Sequence, residues 1–241
     1  MIINAHELDT FQSCPARWKL RDQYPIESLY QSDYIKAISK TIYYMYSYSM
    51  STGNPISSKS ARNFWDQQWW VPGMNKEEKN QELLFKQAAD GWLLLQKFHS
   101  EFYKKLQYLP IGTNFKLSMN SNKLEFRLPI DLILVNNKGQ IEYIELGKKR
   151  SSWQIYTSIK TKFEVCALNE SLDKAPVKKL YIDLTSSKTS YTVKTLNIDS
   201  AYIDNAIRTT SLVKNIIISD TIIPAWSSNC KKCICAGKCW F

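Results

Sequence analysis

The sequence predicts a mixed α/β fold of the α+β kind: a central mixed sheet flanked by helices, with an N-terminal helical region and a cysteine tail. Three observations predict it. From about Lys76 to Leu106, Leu84, Ala88, Trp92, Leu95, Phe98 and Phe102 recur at helical spacing. After Pro110 the period changes, and "FKLSM", "KLEFRLPIDLILV" and "QIEYIEL" alternate or run apolar as strands do. Finally, Cys14 stands alone near the start while Cys230, Cys233, Cys235 and Cys239 crowd the other end.

Each element has a local cause. Asn4 is set as an N-cap with Glu7 three positions on, opening a helix that Pro15 breaks just after Cys14. Ser32 is placed to cap a second helix with the aromatic face "IYYMYSY". "SSKSARNFWDQQWW" reads as a third, stopped by Val71-Pro72-Gly73. The aromatics of this region, 1–109, are core formers rather than stacking groups for bases. Residues 110–219 carry the strands, with "NNKG" as a hairpin turn. A helix, "SIKTKFEVCALNESL", then two strands, "KKLYIDLT" and "SYTVKTL", and a helix from about Asp199 to Ser219 lead to the tail, 220–241. No repeat, heptad array, glycine-rich phosphate loop or long linker divides the chain, so one domain over 1–241 is expected.

Composition narrows the function. The 241 residues are 44% hydrophobic and 22% charged, as a packed globular chain is, and carry a net charge of +10 with a pI near 9.2. Clustered Lys and Arg release counterions from phosphates, so a polyanionic partner, nucleic acid, is favoured. No apolar run approaches the roughly 18–20 residues that span a bilayer. "MIINAHELDTF" lacks the basic-then-apolar layout of a signal peptide, which predicts a cytoplasmic protein with no membrane partner.

In a reducing compartment a cysteine cluster signals metal rather than disulfides. Cys230 and Cys233 form a C-x2-C pair, Cys239 follows after Gly237, and nearby lysines favour thiolates. Cys14 is the remote candidate for a fourth ligand. Four thiolates suit a structural zinc or a cubane iron–sulfur cluster, and spacing does not separate the two. Asp131 and Glu145 fall in consecutive strands, where two carboxylates can share a divalent cation that polarises a phosphodiester and activates water. Asp131 lies inside the apolar run "LPIDLIL", and a buried carboxylate needs a partner or a metal.

These residues resemble the PD-(D/E)XK nuclease superfamily, in particular its RecB-like branch with an iron–sulfur cluster, which includes AddAB-type helicase–nucleases and CRISPR-adaptation exonucleases. The resemblance rests on "FQSCP" at Phe11–Pro15, on C-x2-C-x5-C at Cys230, Cys233 and Cys239, on "LPIDLIL" around Asp131 and on "IEYIELGKK" around Glu145. It implies a restriction-endonuclease-like sheet and a 4Fe–4S cluster on Cys14, Cys230, Cys233 and Cys239. It also implies Mg²⁺ or Mn²⁺ on Asp131 and Glu145, DNA as partner, and a helicase or other DNA-processing protein as companion. Cys166 and Cys235 have no place in that frame.

The catalytic frame departs from the family. The lysine expected two residues after Glu145 is Gly147, and Lys148, one further, belongs to the opposite strand face unless a bulge at Gly147 returns it. Lys149 shares the face but starts about 13 Å along the strand, at ~3.3 Å per residue. A family histidine is replaced by tyrosine near Tyr43 or Tyr44, an acid is missing near Asn114, and a Gln–Tyr pair four residues apart falls at Lys162 and Cys166. Lys162 is therefore the candidate for a relocated catalytic lysine, and Lys148, Lys149 and Arg150 for phosphate contacts. His6 and His99 match no family role. Two functions follow: a metal-dependent deoxyribonuclease with a rearranged site, or a catalytically silent nuclease fold that binds DNA or a partner protein.

Overall fold

The computed structural model describes residues 1–23, 33–70, 81–103, 109–121, 124–185, 187, 189–221, 230, 233 and 235. Its elements are β1 (Ile2–Asn4), α1 (Ala5–Ser13), α2 (Pro15–Lys19), α3 (Asp33–Thr52), α4 (Ser58–Trp69) and α5 (Gln81–Lys97), the last running into a π-helical turn, Phe98–Tyr103. There follow β2 (Leu109–Ser121), β3 (Leu124–Val135), β4 (Ile141–Gly147), α6 (Ser152–Thr157), α7 (Ile159–Leu172), β5 (Lys178–Asp183), β6 (Thr192–Asn197) and α8 (Ser200–Ser219). The Ser32 cap and the Val71-Pro72-Gly73 stop lie outside the described residues. Among the described residues no helix is long and apolar enough to cross a membrane.

Local chemistry sets the helix ends. Asn4 caps α1 as expected, and its own N–H donates to Glu7 Oε2 at 2.7 Å. Cys14 then takes extended backbone, ends α1, and caps α2 by accepting the Arg17 N–H on Sγ at 3.4 Å. Pro15 therefore opens a new helix at its first position, where no N–H is needed. Asp199 caps α8 by accepting the Tyr202 N–H at 2.8 Å.

The mixed sheet runs in the order β1-β3-β4-β5-β6, with β2 also on β3. β2 pairs antiparallel along the whole of β3, so β1 and β4 must share β3's other edge. β1 pairs parallel with Glu125–Arg127, and β4 pairs antiparallel with Leu132–Val135. A gap is left between them, over 128–131. The sequence does not reveal β1, whose three residues bury only Ile3.

Each face of the sheet has its own core. Leu8 and Phe11 of α1, Phe163 and Leu168 of α7, and Tyr202 and Val213 of α8 pack with Phe126, Ile130, Tyr143 and Tyr181. On the other face Ile38 and Ile42 of α3, Trp65 and Trp69 of α4, and Leu95 and Phe98 meet Leu132, Ile144 and Ile182. The aromatic helices thus form a core, as their periodicity predicts. Along β3, Phe126, Leu128 and Ile130 belong to the first core but Leu132 and Leu134 to the second, so the alternation slips by one residue at Asp131. Asn114, whose position on β2 faces Asp131 in the same register, has a left-handed φ of 46°.

Candidate active site

The gap on β3's edge is where the candidate residues gather. Leu132 pairs with Ile144, so the next step along the antiparallel strands sets Asp131 against Glu145. There the strands part: Glu145, Leu146 and Gly147 pair with Tyr181, Ile182 and Asp183 of β5. The Asp131 carboxylate takes over from the lost ladder, accepting the Leu146 N–H on Oδ2 at 2.7 Å. The Tyr43 hydroxyl of α3 donates to Oδ1. Of the two tyrosines considered from the sequence, Tyr43 is therefore the one that meets Asp131, while Tyr44 stacks on Phe64 with centroids 4.0 Å apart.

Glu145 sits in a ring of buried charges. Lys160 Nζ of α7 lies 2.6 Å from its Oε1 and Lys179 Nζ of β5 lies 2.5 Å from its Oε2. Both lysines also reach Glu164 of α7, at 3.4 and 2.7 Å. Lys179 is fully buried and donates to Thr161 Oγ1 at 2.9 Å. Its contact with Glu145 is an ion pair without hydrogen-bond geometry, since Oε2 accepts no hydrogen bond. Arg150 stands 3.9 Å from Glu145 and 2.9 Å from Asp9.

These neighbours set the acidities. Burial dominates at Asp131 and pushes its carboxyl up from 3.8 to about 6, against the Tyr43 hydroxyl, the Leu146 N–H and the Lys160 charge. At Glu145 burial acts in the same sense, but Lys160, Lys179 and Arg150 overcome it and hold the carboxyl well below the usual range. Burial also works to lower the Lys160 ammonium, and Glu145 and Glu164 raise it instead. At Tyr43, burial and then Asp131 hold the phenol protonated.

A cavity of about 780 Å³ opens over the two carboxylates. Among the described residues six cations line it, Lys116, Arg127, Lys148, Lys149, Arg150 and Lys160, against three acids, Asp9, Asp131 and Glu145. Its wall therefore attracts a phosphate, while its floor is acidic. Among the described residues no three His, Cys, Asp or Glu side chains form a ready cage for a metal. The donor set nonetheless fits Mg²⁺ or Mn²⁺, which are held by one or two carboxylates and keep several waters.

The structure redistributes the expected roles. Asp131 and Glu145 come together as expected. Lys162 does not join them: its ammonium donates to Thr209 Oγ1 of α8 at 3.2 Å. About 200° of helix rotation separates Lys160 from Lys162, so only one of the two can face the carboxylates. The i, i+4 pair at the site is accordingly Lys160 and Glu164, not Lys162 and Cys166. No bulge returns Lys148, because the β4–β5 register runs unbroken through Gly147. A Cβ at position 147 would lie 2.4 Å from the Tyr181 hydroxyl, so any side chain there requires the tyrosine ring to shift. Lys148 and Lys149 are exposed on the cavity wall, whereas Arg150 is half-buried and committed to Asp9. His6 lines the cavity, and His99 is buried with Nε2 2.8 Å from the Ile56 carbonyl.

Sequence reasoning missed Lys160, Lys179 and Glu164. One signal was available: Glu164 lies in an otherwise apolar helical stretch, four residues after Lys160. Of the cysteines, Cys14, Cys230 and Cys233 are half-buried and Cys166 and Cys235 buried, while Cys239 lies outside the described residues. Lys19 at the end of α2 pairs with Asp220 at the end of α8 at 2.9 Å, so the tail sets out beside the helices that flank Cys14.

No protein-family model matches the sequence, and no curated protein does. Among solved structures the chain is similar to a protein from Eubacterium rectale described as a "Putative exonuclease", with 10% identity and a TM-score of 0.55 over 98% of this chain and 86% of that one. SSO0001 aligns at 14% identity over 97% and 92% of the two chains with a TM-score of 0.32, too low to bear on the fold. The first likeness and the sheet topology together define a nuclease-like mixed α/β fold.

Proposed function

We propose that this chain is a metal-dependent deoxyribonuclease in which Asp131 and Glu145 hold the cation and Lys160, from α7, replaces the lysine missing from β4. The observation that carries this reading is Lys160 Nζ at 2.6 Å from Glu145 Oε1, on the floor of a cation-walled cavity. The exonuclease description of the Eubacterium rectale neighbour supports it. A bound Mg²⁺ or Mn²⁺ would polarise the phosphodiester and activate water. Tyr43 orients Asp131 toward the cavity, Lys160 offsets negative charge growing on the phosphate, and Lys148 and Lys149 hold flanking phosphates.

The cysteine frame supports a 4Fe–4S cluster on Cys14, Cys230, Cys233 and Cys239, with the Lys19–Asp220 pair bringing the start of the tail toward α2. Its role in this reading is structural, because a cluster that joins the chain ends contributes its binding energy to folding.

A second reading, a silent nuclease fold that binds DNA, is favoured by one observation. All four oxygens of Asp131 and Glu145 already meet protein partners: Tyr43, the Leu146 N–H, Lys160 and Lys179. The experiment incubates anaerobically purified protein with labelled single- and double-stranded DNA and Mg²⁺ or Mn²⁺. Cleavage that is lost in Lys160→Ala and Asp131→Ala and kept in Lys162→Ala supports the first reading. Salt-dependent binding without cleavage under either metal supports the second.

A further inference from the structure

Trp153 is 71% exposed and Tyr156 49% exposed, on the one short helix that links the Glu145 strand to the Lys160 helix. Large aromatic surfaces left in water beside a catalytic cavity call for a ligand with a flat apolar face. The two rings stack on each other, with centroids 6.2 Å apart and planes 21° from parallel. They are held rather than loose. Ser151 and Gln154 form a capping box at the start of α6, the Tyr156 ring packs edge-on against the buried Tyr202, and the Tyr202 hydroxyl donates to the Tyr156 carbonyl at 3.1 Å.

Their surroundings say what the ligand is. A second cavity of about 360 Å³ shares Asp9 and Arg150 with the catalytic cavity, and Gln154 and Thr157 of α6 line it. Trp153 stands on α6 directly before Gln154 and one turn before Thr157, and its ring leans toward Tyr156, on the flank of the helix next to the one that lines the trough. Lys148 and Lys149, exposed on the catalytic wall, precede the helix by a few residues. A cationic wall followed by a stacked aromatic pair suits a strand whose phosphates run along the lysines and whose bases are free to stack. In duplex DNA the base faces are already occupied by their neighbours.

We propose that Trp153, backed by Tyr156, is a base-stacking platform that selects single-stranded DNA, or a single-stranded end, for the cavity over Asp131 and Glu145. The proposal rests on the DNA reading above and names its substrate class. Stacking on one aromatic ring accounts for about a 5- to 150-fold change in affinity, and any base can supply it.

The test measures fluorescence anisotropy at low salt, without divalent metal, using the full chain and three probes: a labelled single strand, the same strand with abasic sites, and a blunt duplex. Trp153→Ala is expected to weaken the normal strand at least 5-fold and to leave the duplex within 2-fold, with Trp153→Phe keeping most of the affinity. The abasic strand should bind the parent chain as weakly as the normal strand binds Trp153→Ala. Circular dichroism of the variant should match the parent, because the ring is exposed. Equal binding of the normal strand by parent and Trp153→Ala would overturn the platform while leaving DNA binding intact. So would an equal loss on all three probes, which would mark an effect on phosphate contacts or folding. Absence of binding to every probe by the parent chain would overturn the DNA reading and this proposal together.

Discussion

Replacing Lys179 by Met tests the charge ring directly. The side chain is fully buried, and its ammonium forms ion pairs with both Glu145 Oε2 and Glu164 Oε2, at 2.5 and 2.7 Å. Met keeps the stem's packing and removes the charge. Breaking a buried ion pair by deleting one partner costs about 3–5 kcal/mol, because the other charge stays buried without compensation. Here each glutamate retains Lys160, at 2.6 and 3.4 Å, which places the expected loss near the lower end, at about 3 kcal/mol. For a chain of this size each kcal/mol lowers Tm by roughly 2–4 °C, so the melting point should fall by about 6–12 °C.

The assay is urea and thermal unfolding under anaerobic conditions, with Lys162→Met as control. Among the described residues Lys162 bonds a hydroxyl on α8, and its loss should stay within about 0.5–1 kcal/mol. Adding Glu164→Gln to Lys179→Met removes one of the two stranded carboxylates and should recover part of the stability, a coupling of about 0.5–3 kcal/mol. A loss below about 1 kcal/mol in Lys179→Met, or strict additivity in the double variant, would refute the ring as a set of mutually compensating charges.

Further expectations follow from single contacts. Gly147→Ala should destabilise by about 1–3 kcal/mol, since the added Cβ meets the Tyr181 hydroxyl, and Tyr181→Phe should relieve part of that loss in chemical unfolding. Mn²⁺ affinity, followed by water-proton relaxation, should fall as pH drops through about 6, where Asp131 takes up a proton. The same raised pKa means that acidification from pH 7 through 6 lets Asp131 add stability to the metal-free fold, because the unfolded carboxyl stays ionised down to its ordinary 3.8. Glu145 has the opposite sign, and its contribution is lost only as pH falls below the usual carboxylate range. Tyr43→Phe removes a hydrogen bond that favours ionised Asp131 and should move the Mn²⁺ transition to higher pH. Cys14→Ser or Cys239→Ser should abolish bound iron and the brown colour, whereas Cys166→Ala should keep both; stoichiometric zinc without iron in the parent would instead show a zinc site.

Much of the fold was legible because its signals are local. The capping box at Asn4, the helical spacing of Ala88, Leu95 and Phe98, the alternation along the first half of β3 and the apolar runs of its second half and of β4 are each patterns within a few residues. The two carboxylates were legible for the same reason, standing as acids inside apolar strands. Lys160 was not, because α7 is buried almost all the way round: Thr161 and Phe163–Leu168 leave no apolar stripe from which to tell the inward side. Lys179 was hidden by Lys178 beside it, since a charge pair at a strand start resembles a solvated edge. β1 was hidden by its length, as three residues cannot show a period of two convincingly.

In the nuclease reading proposed above, the sheet itself explains why the lysine is carried by α7 rather than by β4. Where β4 leaves β3, Glu145 pairs with Tyr181, and the Tyr181 ring, fixed by the Lys148 carbonyl, fills the space above Gly147. A lysine there would have to displace the Tyr181 ring from its bond with the Lys148 carbonyl. The first turn of α7 approaches the same carboxylate from the other side, and Ser158 anchors that turn by accepting the Thr161 N–H at 3.2 Å. Lys160 therefore starts from a fixed backbone, and Glu145 and Glu164 hold its ammonium between them. Catalysis of phosphodiester cleavage asks for a positive charge at a defined point and is indifferent to the element that carries it. Glycine on the strand and lysine on the helix are in this sense one arrangement, so putting lysine at 147 in a Lys160→Ala background should not restore a working site unless Tyr181 is also made small.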